Sequence, residues 1–199
     1  MAQKQTDTIS RLITEISKLP GIGRKSAQRI AYHLLTHPAS NAENLAQAII
    51  DAKGSAKICS ICANLSHSDP CPICASEKRD HTLVCVVQDA KDIITIERSH
   101  CFQGVYHVLG GSISPLQGIG ARDLRIDKLI ARVRQGAKEV IFATALTPDG
   151  ENTAVYISGL LAPLNVKMSR IATGMPVGSD LEYTDEETVA GAITSRRQL

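Results

Sequence analysis

Tryptophan is absent from this 199-residue chain, and only two Phe and four Tyr are present. Stacked aromatic platforms for single strands are therefore excluded as its main chemistry. No apolar run approaches the roughly 20 residues that a bilayer span needs. The opening residues MAQKQTDTISR hold no apolar secretory core, so no signal peptide is expected and the protein is read as cytosolic, without a membrane partner. Charge of one sign is lacking as well: the net charge is only +2, and bulk charge names no partner. Internal repeats and low-complexity stretches are missing. What remains is a globular composition, 43% hydrophobic with 21% charged, which argues against disorder or fibre.

The distribution of charge says more than its sum. Residues 1–57 carry eight Lys/Arg against four Asp/Glu, whereas residues 175–199 carry five acids against two Arg. A basic front and an acidic tail suit an anionic ligand at one end and a protein contact at the other; ordinary solvated faces are the alternative.

Six cysteines are present, and four of them, Cys59, Cys62, Cys71 and Cys74, fall within sixteen residues. Each Cys-x2-Cys pair turns a knuckle that presents two thiolates from one side, and two knuckles complete a tetrahedron around zinc. Four sulfurs leave no position for water, so the expectation is one structural Zn2+ per chain, supplying much of the folding energy of a segment too short for its own core. Disulfides are the competing use, disfavoured in a reducing compartment. His67 is surplus to four sulfurs and is read as exposed. Cys85 is expected to be buried and inert, and Cys101 has no evident partner.

Residues 6–19 place Ile9, Leu12, Ile13, Ile16 and Leu19 on one helical stripe, ended by Pro20-Gly21. A second amphipathic helix is expected from Arg24 to Leu35, with Ala27, Ile30, Ala31 and Leu34 inward, and a third over Asn41–Gly54. Residues 58–76 show neither period. From Thr82 onward, strands are expected at Leu83–Val87, Val105–Leu109, Glu139–Ala145 and Val166–Ala172. They alternate with helices over Ala90–Arg98, Asp127–Arg134 and Thr153–Leu161, which indicates a largely parallel sheet covered on both faces. Thr184-x-x-Glu187 reads as a capping box opening a last short helix.

Between the first two helices stands Leu19-Pro20-Gly21-Ile22-Gly23, followed by Arg24, Lys25 and Arg29. Such a turn leaves the first N–H groups of the second helix unpaired beside its positive dipole end, where a phosphate fits. Lys25 and Arg29 lie four apart, on one face, within reach of neighbouring phosphates. This is the helix-hairpin-helix pattern of sequence-independent DNA backbone binding, with a plain helical hairpin as the alternative reading.

The segments Val86–Asp92 and Ile141–Glu151 resemble the two motif regions of Toprim domains. With Tyr106–Gly111, Ile113–Gly120 and Pro176–Tyr183 added, the order of hairpin, four-cysteine knuckle, Toprim-like sheet and acidic tail resembles the RecR family of bacterial recombination mediators over essentially the whole chain. The resemblance implies an α+β protein in four parts. Residues 1–57 would be a helix-hairpin-helix DNA-binding region, 58–76 a four-cysteine zinc finger, 80–174 a Toprim domain and 175–199 an assembly tail with a short helix. It further implies a homotetrameric ring or clamp acting on gapped, single- and double-stranded DNA in recombination and repair of DNA damage. RecO-like and RecF-like partners would help it promote RecA loading at single-stranded gaps, in the cytoplasm at the nucleoid.

Residue by residue, Lys25 and Arg29, with Gly21, Gly23 and Arg24, match the DNA-contacting hairpin; the four clustered cysteines match the zinc ligands; Asp149 and Glu151 match an acidic partner-docking patch. Ser179 departs mildly from the Gly-Gly-Asp-Leu-Glu-Tyr segment of the tail. Catalytic Toprim domains hold Mg2+ with a Glu and an Asp-x-Asp, because Mg2+ takes hard oxygens. Those positions fall on Gln88, Ala145 and Thr147 here, so all three ligands are missing, and no P-loop is present. No enzyme is therefore expected. The alternatives are a Toprim-type metal-dependent DNA enzyme, nuclease or primase-like, and an RNA-binding zinc protein. A self-association is expected on size as well, since residues 1–57 and 175–199 are too short to bury their own apolar stripes.

Overall fold

The computed structural model describes residues 7–196, so the ends of the first and last segments lie outside it. The chain divides into two compact units, residues 1–56 and 57–199.

The first unit is helical. Helix α1 (Thr8–Ser17) is capped by the Asp7 carboxylate, which accepts from Ile9 N; α2 spans Arg24–Thr36 and α3 spans Ala39–Ser55. Pairing of α1 with α2 is the main internal contact. The apolar stripe of α1 is only half-buried, and Ala27 and Ala31 of α2 are the fully enclosed side chains. Leu19 and Ile30, expected to face inward, are exposed. Two alanines let the helices approach closely, and that approach leaves no interior for larger groups.

The second unit begins with an antiparallel pair, β1 (Lys57–Ile58) and β2 (Leu65–Ser66), followed by the single turn α4 (Pro72–Ala75). These short elements occupy the stretch that shows no period in sequence. Then come β3 (Asp80–Val87), α5 (Ala90–Arg98), β4 (Gly104–Val108), α6 (Ile126–Arg134), β5 (Glu139–Ala143), α7 (Pro148–Leu161), β6 (Lys167–Arg170) and α8 (Glu186–Thr194). The four long strands form a wholly parallel sheet in the order β4-β3-β5-β6. Alternate residues of β3 point to opposite faces. Val84 and Val86 join Val105 and Leu109 beneath Leu129 and Val133 of α6 and Ile157 and Leu161 of α7. Cys85 and Val87 join Tyr106 and Val108 beneath Ile93 of α5.

Several boundaries differ from the sequence expectation. Helix α7 starts five residues early, because Thr147 caps it and Pro148 takes its first position, where a missing N–H costs nothing. The last helix is capped by Asp185, whose carboxylate accepts from Thr188 N at 2.9 Å, while the Thr184 hydroxyl donates to Asp180 O instead. A charged acceptor at the right spacing outcompetes the hydroxyl. Strands β5 and β6 stop at Ala143 and Arg170, short of Ala145 and Ala172, where their neighbours end.

The edge strand β4 is not left open. Its Val108 N–H donates to Cys62 O at 2.8 Å, and the Arg132 guanidinium donates to Tyr106 O. Ala63 and Ile73 of the cysteine segment pack against the same part of the sheet. The knuckle and α6 thus each engage a backbone group of an edge that would otherwise template strand addition.

Candidate functional site

The four clustered cysteines are all buried, and their sulfurs lie within 4.8 Å of one another. A tetrahedron with metal–sulfur bonds of about 2.3 Å has edges of about 3.8 Å. The Cys62 and Cys71 sulfurs are 3.6 Å apart, so the donor set fits a zinc-sized ion. Backbone amides already point at two sulfurs: Asn64 N–H donates to Cys62 Sγ at 3.4 Å and Cys71 N–H to Cys59 Sγ at 3.3 Å. Across the loop, the Asp69 carboxylate accepts from Ser60 N at 2.7 Å and Ser60 Oγ at 2.8 Å, tying the two knuckles together. Those bonds hold the Asp69 carboxyl below its ordinary range. The thiols compete for one proton set. A hydrogen bond from Cys74 pulls Cys62 down to about 5, while the same bond and burial push Cys74 up. Burial pushes Cys71 up. Four thiolates at this spacing need a cation among them.

In the hairpin unit, the turn between α1 and α2 depends on one glycine. Gly21 sits at φ +77°, where a side chain is strained, whereas Gly23 at φ −75° is in ordinary extended backbone. Of the two glycines, Gly21 alone takes a backbone angle that side chains avoid. Neither Cβ position meets another atom within 4 Å, so the outer surface of the turn is bare backbone. Gly23 supplies no side-chain cap, and the first amide of α2 bonded back is Ala27 N, to Gly23 O at 2.9 Å. Arg24, Lys25 and Arg29 are exposed, and none makes an ion pair among the described residues.

The carboxyl ends of the parallel strands meet at the point where the chain leaves β3 for one neighbour and later returns to the other. Open α/β sheets bind ligands at such a switch point. A cleft of about 410 Å³ lies there, lined by Gln88, Asp89, Lys91, Asp92, Thr144 and Ala145 among others. The Gln88 amide donates to Ser112 Oγ at 3.4 Å, and Thr147 is spent on capping α7. Asp89 and Asp92 form the capping box of α5. Gln88 and Ala145 are therefore brought together in one cleft, whose lining carboxylates, Asp89 and Asp92, cap α5.

Asp149 and Glu151 lie in the first turn of α7, where the helix dipole favours acids. Gly150 between them allows a close approach: a Cβ there would stand 2.1 Å from Ala145 O. Glu151 is exposed but paired with Arg170 at 2.7 Å, and Arg170 also donates to Ala145 O at 3.3 Å. Sequence reading missed Arg170, since nothing local links the end of β6 to the start of α7. It also missed the Arg79–Glu97 pair, to which Tyr106 OH donates at 2.6 Å, joining the residue before β3 to α5 and β4. No helix among the described residues is long and apolar enough to cross a membrane.

Comparison with known proteins covers these parts in order. Residues 9–53 match the family model of the RecR helix-hairpin-helix, 56–76 that of the RecR four-cysteine zinc finger domain, 82–172 the Toprim domain and 174–197 the RecR C-terminal model. The chain is 50% identical to the recombination protein RecR of Desulforudis audaxviator over 193 residues, covering 96% of this chain and 98% of the relative. It is also 50% identical to that of Moorella thermoacetica over 194 residues, 97% and 98% respectively. The same identity holds over 188 residues to that of Clostridium perfringens, 94% and 95%. With all four parts matched in order and half the residues identical over nearly the full length, the chain belongs to the RecR family of recombination proteins.

Proposed function

We propose that the protein is a non-catalytic, DNA-binding mediator of recombinational repair, held together in part by one structural Zn2+ on Cys59, Cys62, Cys71 and Cys74. Bound there, zinc would neutralise the thiolates and fix the knuckle on the β4 edge. The observation that carries the DNA reading is the bare turn at Gly21–Gly23 with Arg24, Lys25 and Arg29 unpaired around it. Backbone amides and cations of this kind contact phosphates without reading sequence. The segments 1–57, 58–76, 80–174 and 175–199 then serve as DNA-binding hairpin, zinc finger, Toprim scaffold and assembly tail. Asp149 and Glu151 dock a RecO-like partner, which for Glu151 means exchanging the Arg170 contact. A homotetrameric ring or clamp, working with RecO-like and RecF-like proteins in the cytoplasm at the nucleoid, promotes RecA loading at gaps.

Catalytic silence follows from chemistry at the switch point. Gln88, Ala145 and Thr147 carry no charge where a phosphoryl-transfer site would present about three carboxylates to Mg2+. The test has two arms. Lys25→Ala with Arg29→Ala is expected to weaken every DNA substrate alike and to flatten the salt dependence by about 0.9 per lost phosphate contact on duplex. Loss confined to one sequence would overturn backbone binding. Cleavage, relaxation or primer synthesis in Mg2+ that survives repurification and vanishes in Asp149→Ala would overturn the scaffold reading.

A further inference from the structure

The hairpin unit carries an acid-free run much longer than its turn. From residue 16 to residue 42 there is no Asp or Glu, and Lys18, Arg24, Lys25, Arg29, His33 and His37 all fall within it. Lys25, Arg29, His33 and His37 follow one another at i+4 steps, so they form one ridge along α2 that begins at the Gly21–Gly23 turn. All four are exposed. Each step rises about 6 Å and the ridge runs about 18 Å, enough for several phosphates of a strand that carries one charge per about 3.4 Å of axis.

The far half of the ridge is a groove of about 740 Å³, lined by Arg29, Tyr32, His33 and His37 among others, with no acid in its lining. His37 Nδ1 donates to His33 O at 2.8 Å, which orients the ring and leaves Nε2 as the atom that gains a proton. The two imidazoles stack with centroids 3.9 Å apart. Neither ring makes an ion pair among the described residues. Both stand at the C-terminal end of α2, where the helix dipole favours cations. The charges on the neighbouring helices are Asp7, Arg11, Glu15 and Lys18 at α1 and Glu43, Asp51 and Lys53 on α3. Of the acids, Asp7 caps α1, Glu15 pairs with Lys18 at 2.8 Å and Asp51 accepts from Gln47 at 2.7 Å.

We infer that the DNA-contacting surface extends from the turn along α2 into this groove, where His33 and His37 together hold a backbone phosphate once protonated. Two imidazolium charges on rings 3.9 Å apart repel one another, and a phosphate bridging them relieves that repulsion, so DNA binding takes up a proton here. The composition of the ridge distinguishes a phosphate backbone from a protein partner. Around the helix, the exposed Ile30 and Leu35 lie about 100° and 120° from Arg29, on the two flanks of the buried Ala27–Ala31 row. The ridge itself offers no aliphatic anchor of the kind that protein interfaces bury. Imidazolium, guanidinium and the Tyr32 hydroxyl are instead donors suited to phosphate oxygens.

This inference rests on the DNA reading proposed above, and its signature is a pH dependence that the hairpin cations do not supply. The full-length, zinc-loaded protein is titrated with labelled duplex and single-stranded DNA at pH 6 and pH 8, each across a salt series. Histidine changes charge within that interval, whereas Lys and Arg do not. The expected result is about tenfold tighter binding of every sequence at pH 6, with the duplex salt slope steeper by about 0.9 for one added phosphate contact. His33→Gln with His37→Gln is expected to lose that gain at pH 6. Lys25→Ala with Arg29→Ala is expected to weaken binding at both pH values and to keep the gain. An undiminished gain in the histidine variant, with the hairpin variant impaired, overturns the groove and leaves the hairpin reading standing. Unimpaired binding in both variants overturns both readings. Wild-type protein gives the answer even where the histidine variant misfolds: bound DNA is expected to shield His33 and His37 from acylation by diethylpyrocarbonate at pH 6, and equal modification with and without DNA overturns the proposal.

Discussion

In the hairpin unit, three helices enclose only Ala27 and Ala31 among the described residues, while Leu45, Ile49 and Ile50 stand exposed on α3. In the knuckle and sheet unit, Val84, Val86, Leu109, Leu129, Ile157 and Leu161 are enclosed between strands and helices. Burying a branched side chain contributes about 1.5–3 kcal/mol, and an alanine methyl roughly 0.8 kcal/mol. The sheet unit therefore holds itself, whereas the hairpin unit depends on its caps, on helix pairing and on whatever covers α3. Placing the turn proposed to contact DNA on the less enclosed unit would let it adjust to a ligand without disturbing the core.

The largest effect that would sharpen this contrast is loss of the metal. Cys62→Ser is expected to destabilise the sheet unit by on the order of 5 kcal/mol, because the knuckle loses a ligand and Cys62 O no longer holds the β4 edge at Val108. Zinc content together with amide exchange checks it. Fast exchange should appear in Tyr106–Val108 and not in α1–α3; unchanged protection of β4 would break the comparison.

Next in size, Ile157→Ala is expected to cost about 4 kcal/mol, from lost transfer energy and the cavity left in a fully enclosed site. Chemical denaturation followed by far-ultraviolet circular dichroism measures it, since no Trp is present.

A pH effect of on the order of 3 kcal/mol comes third. His107 is fully enclosed; its Nε2 donates to Arg125 O at 2.9 Å and its Nδ1 has no partner. Burial and the nearby cations lower it from 6.5 to about 4. The unfolded chain therefore binds the extra proton between those values. The stability is fully present above about 6.5 and drains away as pH falls towards 4. His107→Phe should flatten stability across that window; an unaltered slope would refute the assignment.

The smallest effect is Ile49→Ala, expected within about 0.5 kcal/mol in dilute protein because the side chain is 62% exposed. A cost equal to that of Ile157→Ala would erase the difference between the units. A cost that appears only at high concentration would show a second copy covering α3.

Residue spacing alone determined a good deal of this protein. The x2-x8-x2 pattern predicted that four sulfurs converge, and they do, within 4.8 Å. Helix α5 runs over Ala90–Arg98 as its period indicates, and Pro20-Gly21 marks the first turn. These features follow from local geometry: a period, a knuckle, a residue that tolerates positive φ. Tertiary structure decided what no window of neighbouring residues contains. It turned Leu19 and Ile30 outward, because two alanines closed the helical interface before larger groups could enter. It paired Glu151 with Arg170 and set Cys62 O against Val108 N. Each of these joins groups at least nineteen residues apart. Such contacts form only once strand order and helix faces are fixed, and a hydrogen bond or a Coulombic contact depends on distance in space, not on distance along the chain.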